Sequence, residues 1–378
     1  MVMLRVLAGV GVLAVLAGVA LHFSGPSRSG GASGRDAPEG VDWLAAAADM
    51  ASAEFDRLEG PWALSLPADH GPHGEAPTEI WQLTAHLEDE RGAPVGVQFM
   101  LVRMGLAGPD APAADSPWAL RDLYRGHLVL VEAGDARLRA QERFGRGAPG
   151  VAGFDAERRE MRLDNWSLTF PEGGEGEAWA LRTDPGELGV ALDLTPERAL
   201  LRIDAEAAPF RGYAFTRLRA QGAVRTEAGE RTVSGVAWFD HLWGELPLPG
   251  AAPVASDRLQ AHLDDGSEVS VIRSRRVDGV GAPVVDAILV GPDGAATAFS
   301  GEAARLEPER VWRDGETAWP VAWRLEAGDL TLDVAPVMDA QAPDFRVSMW
   351  SGLVRVEGRR GARAVSGLGT LQLSGYGS

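Results

Sequence analysis

From about residue 60 onward, apolar and polar residues alternate in short runs broken by Gly, Pro, Asp and Glu. This is the period-two pattern of strands with one buried face. Pro94 to Met104, Gly126 to Glu132, Arg159 to Phe170, Arg198 to Ala205 and Leu330 to Val337 are examples, and Arg91-Gly92, Asp265-Gly266, Asp293-Gly294 and Asp314-Gly315 mark hairpin turns. The expected fold class is all-β and antiparallel. Ahead of it the texture changes twice. Val6 to Leu21 is an apolar run after Arg5, slightly short of the roughly 20 residues that span a bilayer, followed by the polar, flexible Ser24 to Gly34. It reads as a signal peptide or membrane anchor over 1–24, which would put the remainder in the periplasm or otherwise outside the cytoplasm. Within the following segment, 25–59, the run VDWLAAAADMASAEFDRL has helical periodicity and predicts one short amphipathic helix after a linker.

The strand region repeats itself. QLTAHLEDERGAPVGVQFMLVR, from Gln82, matches RLQAHLDDGSEVSVIRSR, from Arg258, so that His86 and His262 fall at the same place. GAVRTEAGERTVSG, from Gly222, matches GLVRVEGRRGARAVSG, from Gly352. Two markers in the same order imply two copies of one fold. The first copy is longer, and its extra residues are assigned to 105–120, 144–154 and 171–188. The domains are set at 60–240 and 241–378, with the junction near the Pro- and Gly-rich 240–256.

Composition removes whole classes of chemistry. The chain of 378 residues has no cysteine, and its 36 basic residues are all arginine. Schiff-base, thiol and disulfide chemistry, cysteine-ligated zinc and iron–sulfur clusters are therefore excluded. A formal net charge of −18, with no basic stripe, opposes binding to nucleic acid. There is no G-x-S-x-G elbow, dinucleotide fingerprint or phosphate loop, and no cofactor is expected.

One segment stands out. SGVAWFDHLWG, 234–244, sets Asp240 and His241 among Trp238, Phe239 and Trp243 at the junction of the repeats, where ligand sites are favoured. Burial there would raise the pKa of Asp240 and lower that of His241, toward the range useful for proton transfer. On a regular strand the two point to opposite sides, so joint action requires a bulge or a strand end. Asp69 and His70, on a Pro/Gly-rich turn, are placed at the rim or floor of a cavity. A metal held by His70, His73 and Glu79 is not expected, since Gly71 and Pro72 prevent a helix there and the spacing matches no zinc motif. His86 and His262, equivalent in the two copies, are read as structural.

These residues resemble a known family. LPADHGPHGEAPTEIWQLTAHLED is similar to the entry segment of the AttH and carotenoid 1,2-hydratase family, SGVAWFDHLWG to its central signature, and GLGTLQLSGYGS to its terminal strand. The resemblance spans roughly Leu66 to Gly377. It implies two consecutive lipocalin-like β-barrels with an apolar cavity. Members include cofactor-independent hydratases that add water to a carotenoid double bond, fungal proteins that guide cyclisations, and exported bacterial proteins, some encoded near membrane transporters. The hydratase branch has Asp-His ahead of Trp-Gly, as Asp240, His241, Trp243 and Gly244 do here, whereas other exported members tend to have arginine at the position of His241. Ile80 and Gln82 replace the paired aromatics usual in the family. The expected function is binding of a hydrophobic small molecule, a lipid or isoprenoid, at the domain junction through Asp69, His70, Glu79, Trp81, Tyr213, Trp238 and Trp243. The alternatives are a hydratase with Asp240 and His241 as catalytic acid and base, or a scaffold in a membrane transporter complex.

Overall fold

The computed structural model describes residues 5–7, 55, 58 and 60–376, except 113–115, 117, 173–177, 184–185, 187, 205–209 and 245–253. The helix expected within 25–59 lies almost wholly outside these residues. So does the apolar run, apart from Arg5–Leu7, which form a short strand, β1. No helix of the described residues is long and apolar enough to cross a membrane.

The described residues form two sheets, antiparallel throughout except where β1 pairs in parallel with β11 (Leu201–Asp204). In the first, β2 (Thr78–Asp89), β3 (Pro94–Gly105), β4 (Asp122–Glu132) and β5 (Arg137–Arg146) lead through β6 (Ala152–Asp155), β7 (Glu160–Leu163), β8 (Trp166–Thr169), β9 (Trp179–Arg182), β10 (Leu188–Pro196) and β11 (Leu201–Asp204) to β12 (Phe210–Thr226) and β13 (Gly229–Gly244). The second comprises β14 (Val254–Leu263), β15 (Glu268–Arg276), β16 (Val284–Val290), β17 (Ala296–Ser300), β18 (Ala304–Asp314), β19 (Thr317–Ala327), β20 (Leu330–Pro336), β21 (Met349–Arg360) and β22 (Arg363–Ser374). Both are meanders whose last strand returns to pair with the first, β13 with β2 and β22 with β14. One is a nearly closed barrel and the other a half-barrel, as expected of an all-β pair of lipocalin-like units.

Two details differ from the sequence reading. Arg159 to Phe170, expected as one strand, is the β7–β8 hairpin, because Asp164 adopts φ 56° and Asn165 completes the turn. The sheets divide between Gly244 and Val254, so His241 to Gly244, assigned to the second domain, end a strand of the first.

The repeat is explained by backbone contact. Gly235 lies opposite Leu87 and Gly367 opposite Leu263, and a Cβ at either would meet a carbonyl oxygen, that of His86 at 2.3 Å or that of His262 at 2.0 Å. The recurring Val-Ser-Gly is thus the point where each meander closes on its first strand.

The two sheets meet along β2 and β14, and three successive outward residues of β2 meet their counterparts in β14. Arg258 donates to Gln82 Oε1 at 2.8 Å, Thr84 donates to Gln260 Oε1 at 3.2 Å, and His86 and His262 face one another Nδ1 to Nδ1 at 2.8 Å. The histidine protons follow from the outer partners. His262 Nε2 faces the carbonyl of Thr216 at 2.8 Å and must donate, which leaves its Nδ1 to accept from His86 Nδ1–H. His86 Nε2 then accepts from Thr370 Oγ1 at 3.0 Å. The chain is complete with both rings neutral, in keeping with their structural reading.

Burial lowers the pKa of His86 from 6.5 to about 3 and that of His262 well below its ordinary value. Between those limits the unfolded chain takes up protons that the folded chain refuses, so this stability is complete above pH 6.5 and is lost as the pH falls toward 3. Urea titrations between pH 7 and 4 should show stability falling steeply with acidification. His86→Leu should be less stable at pH 7, with a slope shallower by up to about 1.4 kcal/mol per pH unit. An unchanged slope would contradict the neutral pair.

Candidate functional site

Period two sorts SGVAWFDHLWG into two sets. On β13, Phe239, His241 and Trp243 face the interior of the first barrel, while Trp238, Asp240 and Leu242 face the second sheet. The register of β13 is unbroken from Phe239 to Gly244 against both β12 and β2, so nothing turns Asp240 toward His241. The structure therefore does not bring together the expected catalytic pair. Asp240 belongs to the junction: its carboxylate accepts from Arg258 at 2.5 Å, from Gln260 at 3.0 Å and from the Trp238 indole at 2.8 Å.

The inward set meets other residues. His241 lies across from Tyr213 of β12 and Trp81 of β2, and Trp243 lies across from Glu79, which in turn faces Arg103 of β3. The turn at 65–76 closes the end of these strands and lowers Asp69, His70 and His73 onto them. The Trp81 indole donates to the His70 carbonyl at 3.0 Å, and Arg103 donates to the carbonyls of His73 and Ala76. The Pro/Gly-rich sequence is what allows this: it leaves carbonyls free to accept from strand side chains.

A continuous polar chain results. His70 Nδ1 is 2.6 Å from Tyr213 Oη. His241 Nδ1 is 3.0 Å from the Asp69 carbonyl and 3.3 Å from Tyr213 Oη, and its Nε2 is 2.8 Å from Glu79 Oε1. His73 Nδ1 approaches the same oxygen at 2.7 Å, and the His73 backbone N–H donates to Oε2 at 2.9 Å. Rings hold the imidazoles in place: His73 stacks on Trp243 at 3.7 Å, His241 on Trp81 at 4.6 Å and His70 on Phe170 at 4.2 Å. Glu79, Trp81, Tyr213 and His241 are fully buried, and the cluster reaches the surface only at His73 and Asp69, whose side chains are 13% and 20% exposed.

Electrostatics follow from this burial. Burial alone would raise the Glu79 carboxyl, but hydrogen bonds from His241 and His73 outweigh it and hold the pKa at about 2. Burial pushes His70 down to about 3, lowers His241 against the pull of Glu79, and pushes the Tyr213 hydroxyl well above 10. The arrangement can keep a carboxylate ionised and a phenol protonated side by side, away from water. His73, Glu79 and His241 also offer ligand atoms that all lie within 4.8 Å of one another, the geometry a metal ion would need.

Of the residues expected to bind ligand, Asp69, His70, Glu79, Trp81, Tyr213 and Trp243 converge here with His241, and Trp238 does not. They meet inside the first barrel and not at the domain junction. The cavities at the junction have other linings, among them one including Met100, Arg125, His127, Arg258 and Met349 and a groove of about 650 Å³ beside Arg198 and Arg217. Sequence reasoning undervalued His73, because the ligand-type residues around it come from separate strands, and it missed Arg103, Phe170 and Trp179, whose ring meets those of His70 and Phe170 edge-on at 5.4 and 5.2 Å. The even spacing of Glu79 and Trp81 on β2 was the available signal for the inward face.

A nearly closed antiparallel barrel joined to a half-barrel of the same topology defines a lipocalin-like protein. The AttH-like family model matches residues 57–376, and the chain belongs to that family. It is similar over 86% of its length to the whole of a solved structure described as AttH from Nitrosomonas europaea, with 26% identity and a TM-score of 0.72. Kievitone hydratase from Nectria haematococca shares the fold, with 10% identity over 86% of this chain and 97% of that one, and a TM-score of 0.62. No curated protein matches the chain.

The junction predicts its own mutational behaviour. Arg258→Met leaves the Asp240 carboxylate buried without its guanidinium, which should cost about 3–5 kcal/mol in chemical denaturation. Arg258→Met combined with Asp240→Asn should recover part of that loss. A single variant as stable as the parent would show that the pair does not hold the sheets together.

Proposed function

We propose that this chain is a cofactor-independent hydro-lyase that adds water to a carbon–carbon double bond of an apolar substrate of the isoprenoid class. We assign the reaction to the first barrel, in an exported protein. The observation that carries the reading is the buried contact of three ionisable groups, Tyr213, His241 and Glu79, within an aromatic interior whose partly exposed edge is formed by His73 and Asp69. A carboxylate and imidazoles sealed from solvent cost free energy that a purely structural core would not need. The fold shared with a protein named as a hydratase supports the same class of reaction.

In this scheme Glu79 and His73 hold the water. The Tyr213 hydroxyl gives its proton to one alkene carbon, the water oxygen bonds to the other, and the proton shed by water passes through His241 to restore Tyr213. His70, hydrogen-bonded to Tyr213 Oη, orients that hydroxyl. Trp81 and Trp243 present π faces that favour a cationic carbon. The interior of the second unit is filled by Trp319, Trp323 and Trp350 and takes no part.

The test is incubation of the purified protein with a series of acyclic isoprenoid alkenes in ¹⁸O-labelled water. The expected product is an alcohol carrying the label, detected by mass spectrometry. Tyr213→Phe should lower the rate by about 10²–10⁴-fold, while Asp240→Asn, altered outside the barrel, should retain turnover. No labelled alcohol from any member of the series would overturn the reading, and full activity of Tyr213→Phe would remove the proton donor.

A further inference from the structure

The hydrogen bonds of His241 within the His241–Glu79–His73 cluster do not add up with a neutral ring. The nearer partner of His241 Nδ1 is the Asp69 carbonyl at 3.0 Å, which can only accept, and the partner of Nε2 is a carboxylate oxygen at 2.8 Å. A neutral imidazole has one N–H to offer, so one of the two contacts would set lone pair against lone pair. His73 is satisfied as a neutral ring, its Nδ1–H on Glu79 Oε1 at 2.7 Å, and its Nε2 lies 3.6 Å from Asp69 Oδ1, beyond hydrogen-bond reach. Arg103 does not relieve the conflict at His241, because its guanidinium pairs with Asp122 at 2.8 Å and stands 3.7 Å from the other Glu79 oxygen. The contacts of His241 are completed by a positive charge where His73 Nδ1, Glu79 Oε1 and His241 Nε2 meet, either a second proton on the ring or a bound cation, and the three atoms lie close enough together for a cation.

We infer that this point is a binding site for one divalent transition-metal ion, zinc in the first instance, held by His73 Nδ1, Glu79 Oε1 and His241 Nε2 with a remaining position open to water. With the ion on Nε2, His241 needs only its Nδ1–H, which the Asp69 carbonyl accepts. With the ion on Nδ1, His73 keeps an Nε2–H directed at the Asp69 carboxylate. Asp69 thus orients both ligands, one through its backbone and one through its side chain, which is the usual support of a metal-binding histidine. Two imidazoles and a carboxylate with an open position form a donor set suited to zinc and its first-row neighbours, and poor for calcium or magnesium. Metal–ligand bonds of about 2.0–2.2 Å in tetrahedral geometry place ligand atoms roughly 3.3 Å apart, so the two short contacts to Glu79 would open by about 0.5 Å. His73, at the surface end of the cluster, is the point of entry.

No contiguous motif encodes the site, since its ligands come from a turn, from β2 and from β13. It does not rest on the proposed function, whose scheme uses the same three side chains without an ion.

The experiment is metal binding by the full chain, without substrate. Protein stripped with a chelator and titrated with zinc sulfate in a calorimeter should take up one ion per chain, and crystals soaked in zinc should show one anomalous peak within about 2.0–2.2 Å of the three ligand atoms. His73→Ala, altered at the partly exposed edge, should keep the parent's circular dichroism and bind at least 100-fold more weakly, while Asp69→Ala should lose about 10–100-fold. Cobalt in place of zinc should give the intense visible absorption of a tetrahedral centre, lost in His73→Ala. Absence of stoichiometric uptake, or equal uptake by His73→Ala, would overturn the inference. Uptake with no hydration of any alkene would leave the metal site standing and remove the hydro-lyase reading, and hydration unaffected by chelator with no uptake would do the reverse.

Discussion

The contact between β2 and β14 is the constraint on which the rest of the molecule depends. Gln82, Thr84 and His86 cannot be buried unless each finds a partner, because an unsatisfied polar group in an interior costs more than its hydrogen bond returns. Arg258, Gln260 and His262 are those partners, one for one, so the two strands lie in a single register. Alternation then does the rest. Once the even positions of this stretch of β2 face the seam, Glu79 and Trp81 must face the barrel, and a slip by one residue would send the seam inward and the chemistry outward.

The same alternation gives the two acids of the central region opposite characters. Asp240, on the seam, is matched by a guanidinium, an amide and an indole, and its charge is spent on holding the sheets together. Glu79, one barrel wall away, has two imidazoles in place of a guanidinium in hydrogen-bond contact. A carboxylate already paired with Arg258 has little capacity to accept a further cation. Glu79, held ionised by His241 and His73, keeps that capacity.

The repeats agree where they pack and differ where they could react. In the second unit the position of Trp81 is taken by Asp257 and that of His241 by Leu373, which lies across from Asp257 as His241 lies across from Trp81. Asp257 is neutralised by Arg273 at 2.8 Å and Arg275 at 3.4 Å. The seam histidines were kept in both copies and the barrel histidine in one, as expected when one pair serves packing and the other residue serves a site.

Much of this was written in the chain. Period-two alternation, turn dipeptides and the recurrence of His-Leu and Val-Ser-Gly determined an all-β fold in two copies, and the Asp69-His70 turn, Glu79, Trp81, Tyr213, His241 and Trp243 could be picked out as chemically notable. These are local or self-referential properties, set by side-chain spacing and backbone sterics. Which of those residues share a site was not local. Neighbours in sequence, Asp240 and His241, are parted by the pleat of one strand. Tyr213, Glu79 and His73, distant from His241 in sequence, are joined to it by the pairing of β12, β13 and β2 and by the turn that closes the barrel. Only the tertiary structure decided that, because cross-strand register and the burial of the seam, not sequence proximity, fix which face each side chain occupies.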